Sequence, residues 1–289
     1  MANLPEQIFK YVSSDRIDIL EKLLIRFTQP SSFNDPFEMR LPVDGHTPEK
    51  LDEALGIVNQ RMYRQFVLAG GAISYEEFSK IQNAHNQSNM DRLKYDLPFQ
   101  KRAATTYAFN KWDSLVGILS LSAAEKNLLM WSHYADSHRG MLIEFDSSHS
   151  FFNAPNLTDA EFDFGMLVEV FYSDNRPKKH IEKTSVLEEI SMLKIKSDAW
   201  KNEKEWRVFQ LLERRHEQIA KGYEILYLFK LPPDCIKRVV VGCNMDYLNR
   251  KRVIDAVKAN PQLKNAKIEE AILHLDLFEL EYKPLLLPN

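Results

Sequence analysis

In the stretch EKEWRVFQ, Glu203, Glu205 and Arg207 fall at every second position. In an extended strand that spacing sets two carboxylates and a guanidinium on one face and gives Lys204, Trp206 and Val208 the other. Such a face can hold a sugar hydroxyl on a glutamate while Arg207 or Lys204 steers a phosphate. It can equally be an exposed edge-strand ion pair between Glu203 and Arg207, worth under about 1 kcal/mol. A second group is Trp131-Ser132-His133-Tyr134-Ala135-Asp136. On a helix, Trp131 and Tyr134 share a face and His133, four residues after Leu129, lies toward an apolar side. The two rings can be a platform for a flat ligand, or they can plug a core while His133 bonds a carbonyl. The third group joins Phe9-Lys10-Tyr11 to the turn in SSFNDPFEM, where Asn34, Asp35 and Pro36 interrupt helix and strand alike. Its side chains can cap backbone amides while Phe33 and Phe37 pin the turn to a core, bracing a site from behind.

The elements that must carry these residues follow from periodicity and caps. IFKYV reads as a strand, then a helix opened by Ser14 or Asp15, then the strand LLIRF. Thr47-Pro48 opens a helix with Leu51, Leu55, Val58, Met62 and Phe66 down one face, and Ser74 with Glu77 forms a capping box for a second. Residues 47–110 carry little concentrated chemistry and read as a helical insertion or lid within a single domain of residues 1–289. VGILSLS is a strand, Ser122 with Glu125 is a capping box opening the helix of the second group, and GMLIEFD is a strand again. Then come the strand LVEVFYS, a charged helix over about 183–201, and the strand EWRVFQLL. Strands ILYLFKL and IKRVVVG, a helix from about 247 to 259 and two closing strands complete the chain. Strands that follow one another without regular helical alternation argue an α+β fold.

Composition narrows the function classes. Hydrophobic residues make up 44% and charged residues 27%, which is a globular balance and not a disordered one. No apolar run approaches the roughly 20 residues of a membrane span, and the N-terminus has no secretory pattern, so a cytoplasmic protein without a membrane partner is expected. A net charge of −3 advertises no polyanionic partner, although Arg176 to Lys221 is modestly basic and would give salt-dependent binding if it faced nucleic acid. Cys235 and Cys243 read as core fillers. His133 and His138 lack a nearby cysteine, so no metal is expected. GxSxG, GxxxxGK[ST] and GxGxxG are absent, leaving elbow hydrolases, P-loops and Rossmann sites without a motif.

FNDPFE, then LLMWSHYADSHRGMLIEFD with its W-x-HYA-x-x-H-x-G pattern, then W..EKEWRV resemble the hallmarks of a bacterial family of unknown function, DUF 2971, over roughly residues 9–245. The order of these pieces is also similar, more loosely, to the ADP-ribosyltransferase architecture. That similarity implies a mixed or antiparallel split-sheet core and NAD as substrate, with no metal. By position, Lys10 or Tyr11 would be the first NAD contact, departing from the usual His or Arg. Ser120 or Ser122 with Tyr134 would be the second element, Trp131, His133 and Arg207 would contribute further contacts, and Glu205 would be catalytic. Asn34, Asp35 and Glu203 would brace them. The implied partners are a nucleotide and a protein or nucleic-acid acceptor, in a defence or toxin-like role. The alternative is a non-enzymatic module that senses a nucleotide or binds a protein through the same pocket; the oligomeric state is left open.

Overall fold

The computed structural model describes residues 4–153, 164–179 and 186–285. Among them the chain runs β1 (Gln7–Val12), α1 (Asp18–Lys22), β2 (Leu24–Phe27), α2 (Pro48–Leu68), α3 (Tyr75–Tyr95), α4 (Leu97–Leu115), β3 (Val116–Ser122), α5 (Leu128–Tyr134) and β4 (Met141–Asp146). It continues through β5 (Leu167–Glu169), β6 (Phe171–Tyr172), α6 (Val186–Leu193), β7 (Ile195–Lys196), β8 (Glu205–Leu211), β9 (Glu217–Lys221) and β10 (Glu224–Lys230). Last come β11 (Ile236–Val241), α7 (Tyr247–Ala259), β12 (Lys267–Leu273) and β13 (Leu280–Pro284). The chain separates into two compact units, one holding 1–38, 112–175 and 193–289, the other 39–111 and 176–192.

The larger unit is built on a mixed eight-stranded sheet, ordered β13-β12-β11-β4-β1-β3-β8-β5, beside a three-stranded sheet β2-β10-β9. Only β11 and β12 run parallel within the large sheet; its other neighbours are antiparallel. Alternation explains the layers. Ile8 and Val12 of β1, Trp206 and Val208 of β8 and Met141, Ile143 and Phe145 of β4 join one apolar cluster with α7, while Phe9, Tyr11 and Leu142 join Met130 and Trp131 of α5 in another.

The junction between β1 and β3 is unlike the rest of the sheet. β1 pairs with β4 over six residues and β3 with β8 over seven, but β1 and β3 meet at the single pair Phe9 and Ser122. Farther along β3, Ile118 bonds Thr28, just past β2, in both directions (2.8 and 2.9 Å). β3 is therefore flanked by β1 at one end and by the β2 strand at the other, and the two diverge around Ser120.

In the smaller unit, Thr47 precedes α2, Ser74 and Glu77 form the reciprocal box at α3, and Tyr63, Phe66, Tyr75 and Phe78 pack as rings between the two helices. Of the expected stripe, Phe66 packs on α3 as foreseen, with Tyr63 beside it, whereas Val58 and Met62 are 50% and 41% exposed. Two other expectations are corrected. Ser122 is the last residue of β3, and α5 is capped by Asn127, whose Oδ1 accepts from Leu129 and Met130. The charged stretch over 183–201 is no single helix: α6 ends at Leu193, β7 pairs with β6, and a 3₁₀ segment spans Asp198–Glu203; residues 183–185 lie outside the described residues. Among the described residues no helix is long and apolar enough to cross a membrane.

α5 is returned to β4 by Asp136, Ser137 and His138, three successive non-glycine residues at φ 47°, 51° and 66°. Each is costly for an L-residue, and the turn is held by close backbone packing. The Gly140 amide donates to Ala135 O, its carbonyl accepts from Gly242, and a Cβ at Gly140 would strike the Val12 carbonyl. Gly140→Ala should therefore lower stability by about 2 kcal/mol through overpacking, read as a lower urea midpoint with an unchanged slope. A midpoint equal to wild type would show that this turn yields freely.

Candidate functional site

Where β1 and β2 part from β3, a cavity of about 390 Å³ opens. Phe9, Lys10 and Tyr11 of β1 line it together with Ser120, Leu121 and Ser122 of β3, and Arg26 and Thr28 enter from the β2 side. Successive residues of one strand can face the same space only because the space lies in the gap between strands and not over one face of the sheet. In that gap the Ser120 carbonyl accepts from Lys10 Nζ at 2.7 Å, so a side chain supplies a bond that a neighbouring strand would otherwise make. Ser32, Phe33 and Asn34 from the early turn, Met130, His133 and Tyr134 of α5, and Lys196, Glu203 and Glu205 complete the wall.

The acidic wall is a buried ion cluster. Arg207, with no exposed surface, donates through Nε to Glu205 Oε1 (2.8 Å), through Nη2 to Glu205 Oε2 (3.0 Å) and to Glu38, and through Nη1 to the Leu193 carbonyl (3.0 Å). Lys196 Nζ donates to Glu203 Oε2 (2.6 Å) and Glu205 Oε2 (3.0 Å) and lies 3.8 Å from Glu38 Oε2. Tyr134 closes the network, its hydroxyl donating to Glu203 Oε1 at 2.5 Å and accepting from Asn34 Nδ2 at 3.4 Å. Lys204 adopts left-handed φ 45°, ψ 53°, ending the 3₁₀ segment at Glu203 and starting β8 at Glu205, so two carboxylates on different elements converge on Lys196.

Burial raises the Glu205 carboxyl above its ordinary range, opposed by the Lys196 ammonium. Against burial, Glu205 and Glu203 hold the Lys196 ammonium above its usual value. Burial and the bond to Glu203 push the Tyr134 phenol up, so it stays a donor at neutral pH. Lys10 is brought down to about 8 by burial, with Arg16 and Arg26 adding to the effect and Glu205 and Glu203 opposing it.

The structure thus brings Lys10, Ser122, His133, Tyr134, Glu203, Glu205 and Asn34 to one cavity and withholds others that the sequence suggested. Trp131 is fully buried: its Nε1 donates to Tyr282 and its ring lies between Tyr11 and the parallel His138 ring, so it cannot be a platform for a ligand. Arg207 is sealed behind Glu205 and cannot reach a phosphate; nor is it an exposed edge-strand partner of Glu203, since β8 lies inside the sheet. Tyr11 lends the cavity its flank, its hydroxyl being committed to the carbonyls of Ala124 and Glu125. The Ser122 hydroxyl donates to the Glu203 carbonyl (2.6 Å) and braces the wall. Asp35 accepts from the Phe37 amide (2.9 Å), capping its own turn, while Phe37 is 63% exposed and not a core anchor; Phe33 turns inward, 5.7 Å from the Arg207 guanidinium.

Sequence reasoning missed Glu38, Lys196 and Arg26. Arg26 carries a legible signal as the one charged residue in LIRF, alternating with Ile25 and Phe27. Glu38 ends the FNDPFE motif, and Lys196 was hidden in a stretch read as helix. Among the described residues, no group of three or more His, Cys, Asp or Glu could hold a metal ion.

Residues 130–208 match the profile of a family described as a protein of unknown function, DUF2971. The match takes in Tyr134, Lys196, Glu203, Glu205 and Arg207 and leaves Lys10, Arg26 and Glu38 outside it. No curated protein and no solved structure matches the chain.

Removing the cation at the centre of the cluster leaves Glu38 and Glu205 buried without it. Arg207→Met should cost about 3–5 kcal/mol, and Arg207→Lys should restore only part, because an ammonium cannot reproduce the two-pronged contact. Urea unfolding of both variants measures this; an Arg207→Met protein as stable as wild type would refute the central role of the guanidinium.

Proposed function

We propose that this cavity binds NAD and breaks the bond between nicotinamide and ribose, passing ADP-ribose to a protein or nucleic-acid acceptor or to water, on a core of the ADP-ribosyltransferase type. The observation that carries the reading is that Glu203, Glu205 and Tyr134 share one cavity wall at the point where β1 and β3 separate. Three carboxylates, Glu38, Glu203 and Glu205, share the two cations Lys196 and Arg207, so the cluster carries one formal negative charge in excess, and Glu203 and Glu205 bring that charge to the cavity. A preorganised negative wall is suited to the positive charge that develops on ribose as the glycosidic bond lengthens.

In this reaction the C1–nitrogen bond breaks heterolytically and its electron pair stays on the pyridine nitrogen, so nicotinamide leaves neutral and needs no general acid. The acceptor hydroxyl adds to C1 and its proton passes to a carboxylate of the wall, with Glu203 the more accessible of the two that line the cavity. Glu205, fixed by Arg207 and Lys196, holds a ribose hydroxyl and stabilises the cation. The Tyr134 ring offers the flat surface that Trp131 cannot. A bacterial defence or toxin-like role is the setting such chemistry suits.

One observation favours a second reading: both Glu205 oxygens already accept from buried cations, as in a purely structural ion cluster. The cavity would then recognise a nucleotide without cleaving it. Nicotinamide release from NAD, with and without cell lysate, separates the readings. Glu205→Gln should keep NAD affinity by calorimetry and lower turnover about 10²–10³-fold. A folded variant with full turnover would remove Glu205 from the chemistry, and NAD bound yet intact in every condition would favour the sensor.

A further inference from the structure

Besides the carboxylates, the cavity lining holds the cations Lys10 and Arg26, whose charges are poorly matched. Lys10 Nζ donates to the Ser120 carbonyl, and among the described residues no carboxylate lies within ion-pair distance of it. Among the described residues Arg26 pairs with one carboxylate, that of Glu224 at 3.6 Å, which is 51% exposed. The Arg26 Nη2 atom is itself buried and makes no hydrogen bond. Two partly buried cations on one cavity, one without an ion-pair partner and the other with a single half-exposed one, leave positive charge poorly compensated in the empty protein. Thr28, Ser32 and Asn34 add neutral polar groups to the lining.

We infer that Lys10 and Arg26 form an anion subsite for the phosphate groups of a nucleoside diphosphate or a related phosphate ester. The inference rests on the cavity between β1 and β3 being a ligand site and does not require bond cleavage. It assigns to Arg26 the phosphate contact that the buried Arg207 cannot make, since Arg26 lines the cavity and has a guanidinium nitrogen without a hydrogen-bond partner. It also carries a proton linkage. Lys10 faces Arg16 and Arg26, which disfavour its charge, and Glu203 and Glu205, which favour it; with burial the balance leaves it near pH 8. A bound anion restores the charged form, so binding takes up a proton around and above pH 8 and takes up almost none below about pH 7, where Lys10 is already protonated.

The test is calorimetric titration with ADP, whose phosphates are fully ionised at pH 8, in two buffers of different ionisation enthalpy, with adenosine as the unphosphorylated control. ADP should bind more tightly than adenosine, with about half a proton taken up at pH 8. Arg26→Gln should weaken ADP at least tenfold and leave adenosine unchanged. Lys10→Met should abolish the proton uptake. Should Arg26→Gln not fold, Arg26→Lys, which keeps charge but loses the fork, should weaken ADP less. Failure of folded wild type to prefer ADP over adenosine overturns the subsite, as does unchanged ADP affinity in folded Lys10 and Arg26 variants. ADP binding with proton uptake but no nicotinamide release from NAD keeps the subsite and removes the cleavage reading. Nicotinamide release with no effect of either variant on ADP does the reverse.

Discussion

β3 can satisfy its outer edge from only one neighbour at a time, and two compete for it. β1 holds it at Ser122 and the end of the β2 strand holds it at Ile118, and between those points neither runs alongside. Backbone groups in such a gap must find other partners or water. Here the Lys10 ammonium takes the Ser120 carbonyl, and what remains of the gap is the cavity. The site is therefore a consequence of strand divergence, and its polar lining is what an interrupted ladder requires.

The charge cluster follows from the same geometry. Strand β8 lies against β3 in full register, with Ser122 opposite Glu205 and Ser120 opposite Arg207. A glutamate and an arginine in the sheet interior are tolerable only if they pair, and Glu38 from the early turn and Lys196 from β7 complete the pairing. The turn that interrupts helix and strand in SSFNDPFEM thus has a physical purpose: Asp35 caps it, Glu38 docks on Arg207 and Asn34 reaches Tyr134. Its two phenylalanines divide, one inward and one to solvent, because the anchor is electrostatic and not apolar.

Much of the secondary structure was legible because it rests on local rules. The strands IFKYV, VGILSLS, EWRVFQLL and IKRVVVG alternate or run apolar in the lengths observed, and the Ser74 box closes as its spacing requires. Errors arose where one local rule mimicked another. Ser122 with Glu125 has capping-box spacing, but the Ser122 hydroxyl is drawn to the Glu203 carbonyl by the adjacent strand. Lys196 sits in a charged stretch with helical composition, yet β7 forms there because β6 offers it a partner. Glu203 and Glu205 do share a cavity, but by way of a left-handed Lys204 and not by the alternation of one strand.

The sequence by itself determined which residue types were set apart from the apolar pattern: Glu205 and Arg207 in a strand, Tyr134 on a helix, Lys10 between two aromatics, and a polar turn that could be neither helix nor strand. Those are consequences of spacing and side-chain chemistry, which the chain carries locally. Tertiary structure alone decided which of them meet a cavity and which are sealed away. Trp131 and Arg207 have the composition of ligand-binding residues and are buried, whereas Lys196, in a stretch of helical composition, and Arg26, in a short strand, line the wall. The reason is that exposure at this site depends on where two strands part company along a third, and that depends on the pairings of Phe9 with Ser122 and Thr28 with Ile118, which lie far apart in the chain.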